Sequence, residues 1–600
     1  MTPNTRKNPT STGRLLSLCI HAAALYTLAA ALGPGQSLAQ ELPVTVDSGV
    51  RVRMRDGVML VADVYRPDAP GRFPVLVERT PYNRQDPGTG TFLASHGYVV
   101  VLQDTRGRYA SEGEFYPFQY ESQDGYDTIE WAAALDGSDG RVGMFGGSYV
   151  GATQMLAAAA VPPHLVAIFP YVTASEYYDG WTYQSGALMQ WFTSSWTTGL
   201  AEDTLRRKAT SLARPLEWVR ALPIESYKLL ALPGVGDLAP YYRDWIEHES
   251  NDDYWRRWKV SDYYGKMQVK ALHGGGWHDI FLKGSIGNYV GLHREAATAE
   301  AREAQRLLVG PWAHAETSPE GKVGDVTFGK SAVLNMSQTI LDWSDYALKG
   351  KANEYSTGAP VKIFVMGENV WRDEQEFPLA RARTTRFFLK SNRGPETAAG
   401  RGVLETSPPG ENPAETFVYD PHDAAPTIGG RLCCGQALPP GPFDQRPLDS
   451  RKDVLVFSTQ PLSRDIEVTG FIALELYAAS SAVDTDFTAI LADVEPSGYA
   501  RFLTDGVVRA RYRNSTDKAE PIVPGKIYKY TLDLWATSNL FKAGHRIRLY
   551  VSSSNFPRFN RNLNTGEPDL GATRTEKATQ TIYIDTDHPS ALVLPVIPRP

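Results

Sequence analysis

Residues 146–151 read Gly146-Gly147-Ser148-Tyr149-Val150-Gly151, directly after the apolar run Arg141-Val142-Gly143-Met144-Phe145 and ahead of an alanine-rich stretch at 157–160. The order strand, sharp turn, serine, helix describes an elbow that lifts a serine hydroxyl clear of a sheet edge. A serine attacks a carbonyl only when it is exposed, held beside a base and placed near donors for the oxyanion, and a strained turn supplies that placement. Glycine at 146 and 151 leaves room where turn and helix crowd the strand. Glycine- and serine-rich turns occur in many unrelated chains, so the partners that this serine needs must be found elsewhere in the sequence.

Working outward, residues 50–54, 59–65, 73–77 and 98–102 form short β-rich runs divided by turn signals such as Asp56-Gly57. A helix is expected over 127–135 and a buried strand over 165–169. Strands alternating with helices imply an α/β fold with a mostly parallel sheet. From 171 to 262 the character turns aromatic and helical, with Trp181, Tyr183, Trp191, Phe192, Trp196, Trp245, Tyr254, Trp255 and Trp258. These residues read as an inserted helical cap. The α/β pattern resumes at 269–272 and 306–309 and closes on a helix over 336–348. From 361 onward β-like runs (362–366, 386–389, 454–457, 471–477, 527–534, 547–552) surround a Pro/Gly-rich loop at 407–446, which implies a separate β-sandwich, jelly-roll-like domain.

A chain of 600 residues is too long for one core. Residues 1–39 carry Arg6, Lys7 and Arg14 without an acid, then an apolar stretch from 15 to 32, then Ser37-Leu38-Ala39, the pattern of a secretory signal cleaved after Ala39. A retained membrane anchor is the alternative, against which His21 and the many alanines count. Cleavage takes the formal net charge from −7 to −10. An acidic chain without a basic run has no electrostatic basis for binding nucleic acid, so a small molecule is the expected partner; assembly of copies is left open. Cys433 and Cys434 are adjacent and form either a vicinal disulfide or two free thiols. With no histidine beside them in sequence, no metal site is expected.

In such a sheet the base and its orienting acid follow the serine in loops after later strands, in the order acid then histidine. After strand 269–272 comes His273-Gly274-Gly275-Gly276-Trp277-His278-Asp279, and after strand 306–309 comes Gly310-Pro311-Trp312-Ala313-His314. Of the downstream histidines 293, 314, 422, 545 and 588, only His314 directly follows an expected core strand. Asp262 is the competing acid and His278 the competing base.

These motifs, with Arg79-Thr80-Pro81-Tyr82, Asp104-Thr105-Arg106-Gly107, Ser111-Glu112-Gly113 and Phe556-Pro557-Arg558, resemble the X-Pro dipeptidyl-peptidase (S15) class of α/β-hydrolases, in its cocaine-esterase-like and α-amino-acid-ester-hydrolase branch (CocE/NonD). The resemblance spans nearly all of the chain after the leader. It implies an α/β-hydrolase domain (45–170 and 263–355), a cap (171–262) and a C-terminal β-sandwich domain (360–600). It further implies Ser148 as nucleophile, His314 as base, Asp279 as orienting acid, and an oxyanion hole made by the Tyr82 hydroxyl and the Tyr149 N–H. The implied activity is that of a serine esterase or acylase that needs no cofactor and no metal. An X-Pro-type dipeptidyl peptidase and an inert binding module are the alternatives. The amino-acid-ester branch holds its substrate ammonium with carboxylates just after the triad aspartate, whereas here Ile280-Phe281-Leu282 follow Asp279; Glu176 and Asp179 in the cap are the remaining acids for that role. The aromatic density at 171–196 points to an apolar acyl pocket lined by Trp181, Trp191 and Phe192.

Overall fold

The computed structural model describes residues 41–206, 222–223, 239–314, 318–392, 401–435 and 437–599. The expected leader at 1–39 and the middle of the cap lie outside the described residues. Residues 42–600 form one compact unit, and no helix among the described residues is long and apolar enough to cross a membrane.

The first strands are β1 (Val44–Arg53), β2 (Met59–Pro67), β3 (Phe73–Thr80), β4 (Val99–Asp104), β5 (Ser138–Gly147) and β6 (Leu165–Tyr171). A two-stranded ribbon, β7 (Tyr183–Gln184) with β8 (Ala187–Leu188), precedes β9 (Lys270–Gly276) and β10 (Gln305–Gly310). A second ribbon, β11 (Lys322–Val323) with β12 (Val326–Thr327), precedes β13 (Val361–Val365) and β14 (Val370–Glu374). The ten-stranded sheet runs β1-β2-β4-β3-β5-β6-β9-β10-β13-β14. Its pairings from β4 to β13 are parallel, and an antiparallel hairpin closes each edge.

Strand period 2 sorts the two cores. Val75, Val77, Val99, Val101, Val142 and Met144 pack with Ile129 and Met155 from the helices Glu121–Ala133 and Tyr149–Ala159. Leu76, Val100, Leu102 and Phe145 point the other way, onto Leu93 and Leu341 from the helices Pro87–Ser95 and Met336–Lys349. The helix expected at 127–135 begins six residues earlier, at Glu121, because Glu121 and Asp124 are held inside by arginines rather than left in a solvated turn.

The domain limits differ from the expected ones in two ways. The α/β sheet does not end near 355: β13 pairs in parallel with β10, and β14 turns back on it. A strand followed by a hairpin reads locally as all-β, so only the pairing reveals to which sheet it belongs. The C-terminal domain is also not separate in its packing, since Leu307, Val309 and Ile363 share one hydrophobic cluster with Leu474, Leu532 and Leu549. Beyond Glu374 lies a mostly antiparallel β domain, eleven-stranded among the described residues. Its longest strand, Ile466–Ser480, pairs with three others and carries an irregularity next to Gly470, whose φ of 134° only glycine adopts without strain.

The insert between β6 and β9 carries the helices Gln190–Arg206 and Pro240–Glu247, built around Trp181, Trp196, Trp245 and Trp255, all buried. The C-terminal domain grips this insert by its backbone. Trp191 N–H donates to the Pro557 carbonyl (2.9 Å), and Leu188 and Asn560 exchange two bonds (3.0 and 2.9 Å).

Candidate active site

Ser148 sits between the end of β5 and its helix with φ 61° and ψ −126°, a region costly to any residue with a side chain. Its N–H donates to the Tyr171 carbonyl across to β6 (2.9 Å), which pins the turn. Gly146 has φ 121°, and a Cβ there would lie 2.3 Å from Val150 Cγ1; one at Gly151 would lie 2.8 Å from Thr173 Cβ. The two glycines singled out in sequence are therefore the ones at which the elbow admits no side chain.

Parallel strands deliver the remaining groups to the same sheet edge, the carboxyl ends of β9 and β10. His314 Nε2 lies 2.9 Å from Ser148 Oγ, and His314 Nδ1 lies 2.7 Å from Asp279 Oδ1. An ionised carboxylate only accepts, so Nδ1 carries the proton and Nε2 is left to accept from the serine. Asp279 is fully buried, and its second oxygen accepts from the Phe281 N–H (3.0 Å). The competing residues fall elsewhere. His278 is buried between Phe328 and Phe502, and burial, then Arg431 and Arg501, hold its pKa well below the imidazole norm. Asp262 is an exposed partner of Lys259.

Tyr82 lies just past the end of β3 and faces Ser148 across the cavity. Its oxygen accepts from Trp196 Nε1 (2.9 Å), so the phenolic hydrogen is not needed for that bond. Although 40% of Tyr82 remains reachable through the open cavity, protein crowds its ring; this burial raises the phenol's pKa, and the bonds with Trp196 and Ser148 draw it partly back. A phenol that stays protonated is a donor. Tyr149 opens the helix that follows the serine, so its N–H has no carbonyl a turn earlier to bond and is free for an oxyanion. The loop that carries Tyr82 is tied down by Arg108, whose Nε donates to the Pro81 carbonyl (2.9 Å) and whose Nη1 donates to the Leu200 carbonyl (3.3 Å).

A buried network holds the Tyr149 side chain. Tyr149 Oη donates to Glu121 (2.9 Å), which accepts from Arg79 (2.8 Å), and Arg79 also donates to Gln103 (2.9 Å). Arg79→Ala leaves Glu121 without its cation and is expected to cost about 3–5 kcal/mol. Equilibrium urea unfolding checks this: a loss below about 1 kcal/mol would show that the pair does not anchor the elbow.

The cavity over Ser148 and His314 measures about 510 Å³ and is lined by Tyr82, Arg108, Tyr109, Ser148, Ser195, Trp196, Gly199, Leu200, His314 and Cys434. Trp181, Trp191 and Phe192, expected to line it, do not. Trp181 stacks on Phe281 (4.2 Å between centroids), whose own ring meets His314 edge-on, so it stands one layer behind the site. Phe192 packs edge-on against both Trp181 and Phe281, and Trp191 is buried with Leu432 at the domain junction. The helix face decides this. Ser195, Trp196, Gly199 and Leu200 form one i, i+4 stripe toward the cavity, which a count of aromatics does not resolve. Asp179 is spent on Lys283 (2.7 Å), while burial and then Asp179 raise the pKa of Glu176 to about 7; neither lines the cavity. Cys433 and Cys434 are joined in a vicinal disulfide, and His314, distant in sequence, comes close to them in space.

A serine presented on an elbow, coupled through histidine to a buried aspartate at the carboxyl edge of a parallel sheet, defines a serine hydrolase of the α/β-hydrolase class. Comparison with known proteins agrees: residues 56–316 match the X-Pro dipeptidyl-peptidase (S15 family) model, and 353–593 match the X-Pro dipeptidyl-peptidase C-terminal non-catalytic domain. The chain belongs to the S15 family, and it is 37% identical over 580 residues to the cocaine esterase of Rhodococcus sp. (strain MB1 Bresler), covering 92% of this chain and 99% of that protein. Among solved structures it resembles an aminopeptidase from a marine sediment archaeon, Thaumarchaeota archaeon (TM-score 0.80, 25% identity, 94% of this chain and 98% of that one). It also resembles an α-amino acid ester hydrolase (TM-score 0.77, 25% identity, 92% and 96%).

Proposed function

We propose that the chain hydrolyses small, neutral carboxylic esters through an acyl-enzyme on Ser148. The observation that carries this reading is the continuous hydrogen-bonded chain Ser148–His314–Asp279 at the floor of an open cavity, with the Tyr82 hydroxyl opposite. His314 takes the serine proton as Oγ bonds to the ester carbonyl carbon; Tyr82 and the Tyr149 N–H receive the oxyanion. The alcohol leaves with the proton from His314, and water, deprotonated by His314, releases the acid. Among the described lining residues none is a carboxylate and one is Arg108, so a substrate ammonium would enter unpaired, at high cost. This disfavours both aminoacyl esters and the N-terminal amine of a dipeptidyl-peptidase substrate. Rates on acetyl, benzoyl and aminoacyl esters and on a dipeptidyl-proline anilide test the reading. The neutral esters are expected to lead in kcat/KM, and a lead for the anilide would favour a peptidase.

Tyr82→Phe removes one oxyanion donor and is expected to lower kcat by about 10²- to 10³-fold with little change in KM. A KM effect alone would make Tyr82 a wall residue.

The reading also includes export, supported by the charge and apolar pattern of residues 1–39. N-terminal sequencing of the protein recovered from its native cells is expected to begin at Gln40; a cytosolic protein that begins at residue 1 would exclude export.

A further inference from the structure

The Cys433–Cys434 disulfide is placed against the catalytic base. Cys434 lines the cavity beside Ser148 and His314, and one ligand atom each of His314, Cys433 and Cys434 lie within 4.8 Å of one another. Cys433 is buried behind it, its carbonyl accepting from Ser195 on the cap (3.4 Å). This loop comes from the C-terminal domain, and a segment that only closed the cleft would not need two sulfurs beside the imidazole on which proton transfer depends.

The geometry points to a redox-gated soft-metal site: reduction of Cys433–Cys434 creates, with His314, a three-ligand site for a thiophilic divalent cation such as zinc or cadmium, whose binding withdraws the catalytic base. A dithiol reductant supplies two electrons and two protons to the S–S bond and itself becomes a disulfide, leaving two thiols. The incoming cation displaces one proton from each thiol to solvent and takes two thiolates and one imidazole nitrogen. His314 Nδ1 is engaged by Asp279, so Nε2 is the nitrogen on offer, and it is the atom that otherwise accepts from Ser148. A metal-bound imidazole with its other nitrogen donating to a carboxylate is the usual supporting arrangement in zinc sites, so the bond that orients His314 as a base equally prepares it as a ligand. In the oxidised protein the sulfurs have no thiolate to give, and the site does not exist. The metal binding stands on its own; the inhibition rests on the acyl-transfer reading above.

The test uses the full chain in two states, as isolated and after reduction by a dithiol removed under anaerobic conditions. Each is titrated with cadmium while the ultraviolet thiolate-to-cadmium charge-transfer band is followed. The reduced protein is expected to bind one cadmium per chain, and the oxidised protein and the Cys433→Ser/Cys434→Ser variant none. At about ten times the Kd so measured, ester hydrolysis by the reduced protein is expected to fall to roughly a tenth of its metal-free rate and to recover on chelation. The ratio of rates with and without metal stays near unity in the oxidised protein and in the variant. Cadmium binding of equal strength in the oxidised protein or the variant would overturn the site. Binding without loss of activity would overturn the role of His314 as ligand, while absence of any esterase activity in the metal-free protein would count against the function and not against the site.

Discussion

Ser148→Ala is expected to lower ester turnover by about 10⁶-fold while leaving the unfolding midpoint close to that of the parent. The loss is large because attack by Ser148 Oγ is the covalent step itself, and no other hydroxyl stands 2.9 Å from His314 Nε2 among the described residues. The fold is spared because alanine keeps the Cβ that the elbow already accommodates at φ 61°, and because the bond that pins the turn comes from the backbone N–H of residue 148. Residual hydrolysis above the water rate is expected, since the Tyr82 hydroxyl and the Tyr149 N–H still polarise a bound carbonyl. Steady-state kinetics beside a denaturation curve separates the outcomes: a folded variant with parental kcat would remove Ser148 from the mechanism.

Asp279→Asn is expected to lower kcat by about 10⁴-fold. The substitution keeps shape and burial but alters hydrogen-bond direction. Asp279 accepts from His314 Nδ1 (2.7 Å) through one oxygen and from the Phe281 N–H (3.0 Å) through the other. An asparagine that keeps its carbonyl on Phe281 turns an NH₂ toward Nδ1. Imidazole then places its proton on Nε2, where it faces the serine hydroxyl and cannot receive its hydrogen. The defect should ease as pH rises and hydroxide takes over the role of base, which a simple packing fault would not do. A pH–rate profile parallel to that of the parent, or a loss under tenfold, would show that Asp279 does not set the tautomer.

The same physics explains which parts of the molecule were legible in the sequence. The elbow is local: strand, glycine turn, serine and helix are contiguous, so their hydrophobic period and turn residues disclose them. His314 and Asp279 are remote but follow buried strands, and parallel pairing brings every strand's carboxyl end to one edge; topology thus converts sequence order into proximity. No such rule covers the cavity wall. Trp196 rather than Trp191 faces Ser148 because of the phase of one helix, and Cys434 arrives from a domain some 290 residues downstream of the serine. Arg79 and Arg108 were visible only as members of quoted motifs or beside them; their work on Glu121 and on the Tyr82 loop depends on contacts that sequence order does not encode. The sheet to which β13 and β14 belong is hidden for a related reason, since a buried strand followed by a hairpin does not state which sheet will pair it.

Hydrolysis through an acyl-enzyme requires that Ser148 be an activated nucleophile. Fluorophosphonate labelling of the purified protein, followed by mass spectrometry of its peptides, tests it most directly. Stoichiometric phosphonylation of the peptide carrying Ser148, abolished in Ser148→Ala and strongly slowed in His314→Ala, is the expected result; a folded, unlabelled protein, or a label on a different residue, would contradict it.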